Sequence, residues 1–197
     1  MAERTLRLVH SRPAPKRREP LIPNGVFGMM LFVMAEIMLF LGMVSAHMVI
    51  RATANEWPPP GQPRLPVEQT AVNTAFLLLS GVALAYALRV FKSEPAKAKA
   101  PLVATMALGA LFVGLQGVEW VGLIAQGLTM TSSTHGGFFY LIVGSHALHA
   151  VIAIGVVAWA TLRLFKGALT LGELQATSVF WFFVVLLWPF LYWKVYL

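Results

Sequence analysis

Five long apolar segments constrain this chain more than any other feature of its sequence. They occupy approximately residues 25–50, 70–88, 101–125, 136–162 and 174–197, and each has the length of about 20 residues that a helix needs to cross a bilayer. Strand-like alternation of apolar and polar residues is absent, so helices rather than a barrel satisfy the backbone in lipid. The sequence therefore predicts an all-α, integral membrane bundle of five transmembrane helices.

The composition excludes most soluble classes of protein. Hydrophobic residues make up 58% of the 197 residues and charged residues only 12%, whereas a soluble domain carries about 25% charged residues. The absence of cysteine excludes disulfides, thiolate metal sites and iron–sulfur clusters. The net charge of +7 is not gathered into a patch of the kind that binds nucleic acid, so no nucleic-acid partner is expected.

The basic residues predict the orientation of the helices. Most of them lie before the first segment, between the second and third, or after the fourth: Arg4, Arg7, Arg12, Lys16, Arg17, Arg18, Arg89, Lys92, Lys97, Lys99, Arg163 and Lys166. The other side of the membrane holds only Arg51, Arg64 and Lys194. The positive-inside rule then predicts a cytoplasmic N-terminus and a periplasmic C-terminus. We expect a basic cytoplasmic segment, residues 1–23, and a five-helix transmembrane domain, residues 24–197. Tyr192, Trp193 and Tyr196 are expected to form an aromatic belt at the outer interface.

Glu36 is an ionisable residue near the middle of the first apolar segment. Burial of an ionisable side chain in lipid costs free energy. A functional role is therefore the default hypothesis for such a residue. Its carboxyl is expected to be protonated or hydrogen-bonded rather than a free anion. Two interpretations remain open: a carboxyl that is proton-linked or faces a partner, and a structural hydrogen bond between helices.

Two further pairs of polar residues lie inside apolar segments at helical spacing. Gln116 and Glu119 share one face of the third helix, and His146 and His149 share one face of the fourth. An interhelical polar clamp is the favoured interpretation of the first pair. The histidines are expected to hydrogen-bond to Glu36 and Glu119, since a metal site would need these glutamates as additional ligands.

Four short motifs occur together in the order that a known family shows. They are the GMMLFVMAE run that ends at Glu36, the Asn73-Thr74 pair, residues 108–120 with Gln116, Glu119 and Trp120, and the GSHALH run of residues 144–149. Taken together they resemble subunit III of the haem-copper oxidases, the cytochrome c oxidase family. The resemblance extends from about residue 28 to residue 197 and suggests a five-helix bacterial form.

The resemblance implies a non-redox accessory subunit of a respiratory terminal oxidase in the bacterial inner membrane. Such a subunit packs against catalytic subunit I, with subunit II, in a hetero-oligomeric complex that reduces oxygen and translocates protons. It supports sustained turnover, assists proton uptake and holds phospholipids between its helices, while haem and copper reside on the partner subunits. No catalytic, cofactor-binding or metal-binding residue is therefore expected here. By the resemblance, Glu36 corresponds to the family's carbodiimide-sensitive glutamate and belongs to a buried polar cluster with Gln116, Glu119, His146 and His149.

Two departures from the family pattern leave alternatives open. The commonest family form has seven helices, and the closing helix here has Phe182 and Val185 where a histidine and an aspartate are usual. This helix is therefore expected to face lipid or an apolar partner. The electron donor stays open between cytochrome c and quinol. Alternatives to an oxidase subunit are a subunit-III-like partner of a nitric oxide reductase, a small membrane transporter with Glu36 in its path, and a b-type cytochrome anchor.

Overall fold

The computed structural model describes residues 22–197, so the basic segment before residue 22 lies outside the described residues. Within this range the regular structure is entirely helical. The five long helices are α1 (Asn24–Thr53), α2 (Val67–Phe91), α3 (Lys99–Ala125), α4 (Thr134–Phe165) and α5 (Leu171–Leu191). A short 3₁₀ turn, Pro95–Ala98, precedes α3, and a π-helical turn, Tyr192–Tyr196, follows α5.

The predicted all-α bundle of five membrane-spanning helices is confirmed in the described residues. Each of the five is long and apolar enough to cross a membrane. Most of the helices extend a few residues beyond the apolar segments. Polar residues continue the helices there, and some of them cap the helix ends. Ser133 caps α4 by accepting a hydrogen bond from the Gly136 N–H, and Thr170 forms a capping box with Glu173 at the start of α5.

The last helix, α5, lies at the centre of the bundle. It packs against α1, α2 and α4, while α2 pairs extensively with α3, and α3 pairs with α4. Consistent with this arrangement, α5 is the most buried of the five helices and α1 is the least buried. The side chains of α5 therefore supply much of the bundle core.

Two tryptophans of α5 carry polar atoms into this core. Trp181 and Trp188 are fully buried. The Trp181 Nε1–H donates to the Ser80 hydroxyl at 3.2 Å, and the Trp188 Nε1–H donates to the Thr74 hydroxyl at 2.8 Å. Burying an indole N–H without a partner would be costly, so these bonds fix the register of α5 against α2.

The expectation that α5 faces lipid or an apolar partner is wrong for most of the helix. Val185 is buried against α2, where a Cβ placed on Gly81 would lie 3.0 Å from its Cγ1. Only a narrow face, which includes the exposed Leu186 and the half-buried Phe182, points outward. The apolar side chain of Val185 fits α5 for a position among the other helices rather than at the rim.

Candidate functional site

The carboxyl of Glu36 lies against the imidazole of His149, which joins α1 to α4 near the middle of both helices. The distance between Glu36 Oε2 and His149 Nε2 is 3.1 Å. The approach is that of an ion pair rather than an aligned hydrogen bond. Both side chains are largely enclosed, with exposed fractions of 17% for Glu36 and 13% for His149. The structure thus brings together two of the residues that the sequence singled out.

The other ring nitrogen of His149 determines where the protons of this pair lie. His149 Nδ1 is 2.7 Å from the main-chain oxygen of Ser145. A carbonyl oxygen can only accept, so Nδ1 carries a hydrogen. Two lone pairs facing each other across 3.1 Å would repel, so either Nε2 or the Glu36 carboxyl carries a proton. The pair can exist as carboxylate and imidazolium, or as carboxylic acid and neutral imidazole.

Aromatic side chains surround the His149 ring. Ring centroids of Phe40, Phe183 and Phe180 lie 5.4, 6.1 and 6.4 Å from it, each in an edge-to-face arrangement. Phe40 comes from α1 and the other two come from α5. These rings keep water and lipid headgroups away from one side of the pair, and this strengthens the attraction between its charged forms.

Glu119 belongs to a second polar group, near the end of the bundle that carries the α1–α2 loop. Its Oε2 is 2.7 Å from the Thr70 hydroxyl, and its Oε1 accepts from the Tyr196 hydroxyl at 2.8 Å. Gln116 donates through Nε2 to the Tyr196 oxygen at 3.1 Å. Asn73 Nδ2 is 3.5 Å from Gln116 Oε1. Three helical elements, α2, α3 and the π-helical turn, therefore meet at one carboxyl, as the predicted interhelical clamp requires.

The hydrogens in this group can be arranged in two ways, with the Thr70 hydroxyl donating to the Glu119 carboxylate or with Glu119 as a neutral acid. The Thr70 hydroxyl is 2.8 Å from the Pro66 carbonyl as well as 2.7 Å from Glu119 Oε2, but it has only one hydrogen. If Thr70 donates to the Pro66 carbonyl, which cannot donate back, Glu119 must donate to Thr70. Every group from Gln116 through Tyr196, Glu119 and Thr70 to Pro66 then makes its hydrogen bond, with one proton on Glu119.

His146 joins neither group. It is 1% exposed, and its ring stacks on Trp188 with centroids 4.9 Å apart and an interplanar angle of 27°. Neither ring nitrogen has a hydrogen-bond partner among the described residues. The expectation that both histidines hydrogen-bond to glutamates is therefore wrong for His146, whereas His149 contacts Glu36 in an ion-pair geometry. The single cluster expected from the resemblance is divided into a Glu36–His149 pair and a Glu119 group, with His146 apart from both.

The two remaining motif positions, Asn73 and Trp120, contact neighbouring helices. Asn73 is buried and donates through Nδ2 to the Phe112 carbonyl at 3.1 Å, which ties α2 to α3. The Trp120 ring packs edge-to-face on Tyr140 of α4, with centroids 5.6 Å apart. Both residues therefore act between neighbouring helices.

Sequence reasoning missed the roles of Thr70 and Tyr196. Tyr196 was expected in an outer aromatic belt, but it is only 7% exposed and bonds to Glu119, so this expectation is wrong. Trp193, by contrast, is exposed. The π-helical turn rotates Tyr196 inward, and the sequence carries no signal for such a turn. One sequence feature could have indicated the role of Thr70: it lies three residues before Asn73 and therefore on the same helix face.

The positions of the histidine and carboxylate side chains bear on whether this chain holds a metal ion or a haem. Among residues 22–197, no group of three or more His, Cys, Asp or Glu side chains is arranged to hold a metal ion. A haem with two axial histidines would need two imidazoles facing each other. Instead, His47 faces Trp57 at 5.4 Å between ring centroids, and His146 stacks on Trp188. This geometry does not favour the b-type cytochrome alternative.

Comparisons with known proteins agree with the motifs. A family model described as cytochrome c oxidase subunit III matches residues 18–197. A protein named cytochrome c oxidase subunit 3 from Lycodon semicarinatus is 34% identical over 183 residues, covering 88% of this chain and 69% of the relative. Proteins of the same name from Coturnix japonica and Gallus gallus are each 32% identical over 188 residues, covering 90% of this chain and 71% of the relative. The resemblance expected from the motifs is confirmed: the chain belongs to the cytochrome c oxidase subunit III family.

Proposed function

We propose that this chain is a non-redox accessory subunit of a respiratory terminal oxidase and stabilises the catalytic subunit during oxygen reduction. Family membership supports the assignment to an oxidase complex. The observation that carries the accessory role is that both buried carboxyls are engaged by side chains of this chain. Glu36 is held by His149, and Glu119 is held by Thr70 and Tyr196. Such carboxyls join helices of this chain.

The proposed partners are the oxidase subunits I and II, which carry the haem and copper. This chain packs against them in a hetero-oligomeric complex. Phospholipid is proposed as a further ligand. An apolar groove of about 540 Å³ between α1 and α5, lined by residues that include Ile37, Phe182 and Leu186, has the chemistry of an acyl-chain site.

The proposed location is the bacterial inner membrane, with the N-terminal segment, residues 1–23, in the cytoplasm and residues 24–197 as the membrane domain. The distribution of basic residues supports this orientation. The α2–α3 and α4–α5 connections and the helix ends beside them carry six basic residues, whereas the opposite end of the described bundle carries Arg51, Arg64 and Lys194.

The comparisons favour an oxidase over the alternative of a nitric oxide reductase partner, because the matched family and the relatives are oxidase subunits by name. Identification of the catalytic subunit that co-purifies with this chain tests the proposal directly. We expect a haem-copper oxidase subunit. Purification with a nitric oxide reductase, or transport of a solute by the isolated chain in vesicles, would contradict the proposal.

Substitution of Glu36 tests the accessory role within the complex. We expect Glu36→Ala to leave initial oxygen consumption near normal and to shorten the active lifetime or weaken assembly, because it removes the α1–α4 contact to His149. Glu36→Gln is the matched control, since its amide can still donate to Nε2, and it should preserve more of the lifetime. Immediate and complete loss of oxygen reduction in Glu36→Ala would show that the chain takes part in the chemistry itself.

A further inference from the structure

Two arginines converge on one small pocket at the end of the bundle that carries the α1–α2 loop. The pocket has a volume of about 280 Å³. Arg51 reaches it from the end of α1, and Arg64 reaches it from the loop. Among residues 22–197, three Lys and Arg residues lie at this end, and two of them line this pocket. Two guanidinium groups therefore border one pocket.

Both guanidinium groups keep donors available for a ligand. Among residues 22–197, neither arginine has an Asp or Glu carboxylate within salt-bridge distance. Arg51 donates one hydrogen bond, from Nη2 to the main-chain oxygen of Leu197 at 3.1 Å. No hydrogen bond to Arg64 is formed within the described part of the chain, so its planar fork of five N–H donors is open.

A buried imidazole completes the lining. His135, in the first turn of α4, borders the pocket and is only 2% exposed. Neither of its ring nitrogens has a hydrogen-bond partner within residues 22–197. Trp57 packs edge-to-face on the ring, with centroids 4.9 Å apart, and also borders the pocket. A buried polar group without a partner is uncommon in folded proteins, and here it lies beside two guanidinium groups, of which Arg51 keeps one hydrogen bond to Leu197.

The donors and the apolar surface together indicate the class of ligand. Two guanidinium forks and an imidazole offer more donors than the two oxygens of one carboxylate can accept, whereas a phosphate has three or four oxygens. Apolar side chains, among them Trp57 and Leu65, line the rest of the pocket. They provide a surface for an organic group attached to the phosphate.

We propose that this pocket binds a phosphate ester, with Arg51 and Arg64 on the phosphate and the organic group against Trp57 and Leu65. The proposal does not depend on the oxidase assignment. The phosphate can belong to a soluble ester or to the headgroup of a phospholipid, and these two sources present the same chemistry to the arginines. The test below distinguishes them.

The soluble source is tested by titrating inorganic phosphate and glycerol 3-phosphate into the full chain, purified in the complex that it forms. Binding is measured by calorimetry at constant ionic strength, set with sodium chloride. The variants are Arg64→Gln, Arg64→Lys and Lys194→Gln. Lys194 is the matched control because it is a basic residue at the same end but lies 3.6 Å over the Trp193 ring, outside the pocket.

We expect saturable binding by the wild type and by Lys194→Gln with equal Kd values. Arg64→Gln should weaken binding at least tenfold, which corresponds to about 1.4 kcal/mol. Arg64→Lys should fall between the two, since it keeps the charge and loses the planar fork. The thermal stability of each variant without phosphate is measured first, and little change is expected because Arg64 makes no hydrogen bond within residues 22–197.

The lipid source is tested by delipidating the complex, adding vesicles that contain phosphatidylglycerol, and counting retained lipids by native mass spectrometry. Loss of one lipid per chain in Arg64→Gln, but not in Lys194→Gln, would support a headgroup site even without binding of the soluble esters. Equal behaviour of these two variants in both arms would overturn the proposal, as would absence of saturable binding in both arms.

Discussion

The hydrogen bonds around Glu119 lead to a prediction that separates two substitutions at this position. If Glu119 is a neutral acid, its hydrogen bonds are one donated to Thr70 and one accepted from Tyr196. Glutamine has almost the same shape and offers the same donor and acceptor, whereas alanine offers neither. We therefore expect Glu119→Gln to be tolerated and Glu119→Ala to be destabilising.

The magnitude follows from the two hydrogen bonds at stake. Interhelical hydrogen bonds inside a membrane contribute about 0.6 kcal/mol on average and up to about 1.7 kcal/mol. Loss of both in Glu119→Ala should lower the free energy of unfolding by about 1–3 kcal/mol. Glu119→Gln should lower it by less than about 1 kcal/mol, because its second amide hydrogen is the only new group that needs a partner.

The assay is reversible unfolding of the chain in mixed micelles, followed by far-ultraviolet circular dichroism. A second readout is the infrared carbonyl band of a protonated carboxyl, which Glu119→Gln should diminish. Equal destabilisation by the two substitutions, with no loss of that band, would refute the reasoning. Such a result would mean that Thr70 donates to an ionised Glu119, since hydrogen bonds to a charged acceptor are roughly twice as strong as neutral ones.

Two further predictions concern the packing of α5. Gly109→Ala should cost about 1–3 kcal/mol in the same assay, because its Cβ would lie 2.8 Å from Cζ2 of the buried Trp181. Gly114→Ala on the same helix is the control. It should be neutral or stabilising, since a Cβ added at Gly114 would have no atom within 4 Å. Equal costs for the two substitutions would contradict the close approach of Trp181 to Gly109. Trp188→Phe removes the 2.8 Å bond to Thr74 and should cost about 1–2 kcal/mol; unchanged unfolding would show that this bond contributes nothing.

The number and type of the helices could be predicted because the bilayer limits the choices. A long apolar segment must satisfy its own backbone, so hydropathy alone determines five helices. The helix ends are less predictable because polar residues continue the helices beyond the apolar segments. Thr170 and Glu173 illustrate this, since their capping box starts α5 a few residues before the predicted segment.

The contacts of the site depend on helix packing, which periodicity describes only partly. Residues three apart share a face, yet they differ by about 60° around the axis and about 4.5 Å along it. On α4 this difference is enough for His149 to meet Glu36 of α1 while His146 stacks on Trp188 of α5. The sequence could show that the two histidines are neighbours. Their different partners depend on where α1 and α5 pack.

The central position of α5 has a consequence for the order of assembly during synthesis. Helix α5 leaves the ribosome after α1–α4, so the first four helices must enter the bilayer before their common packing partner exists. Before α5 is present, the hydroxyls that it later contacts already have hydrogen-bond acceptors on α2. The Ser80 hydroxyl donates to the Leu77 carbonyl, and the Thr74 hydroxyl donates to the Thr70 carbonyl. These polar groups therefore cost little free energy in the membrane. Insertion of α5 then brings Trp181 and Trp188 to these hydroxyls in a single late step. A chain interrupted before α5 would leave the first four helices in the membrane without the two tryptophans that fill the centre of the bundle.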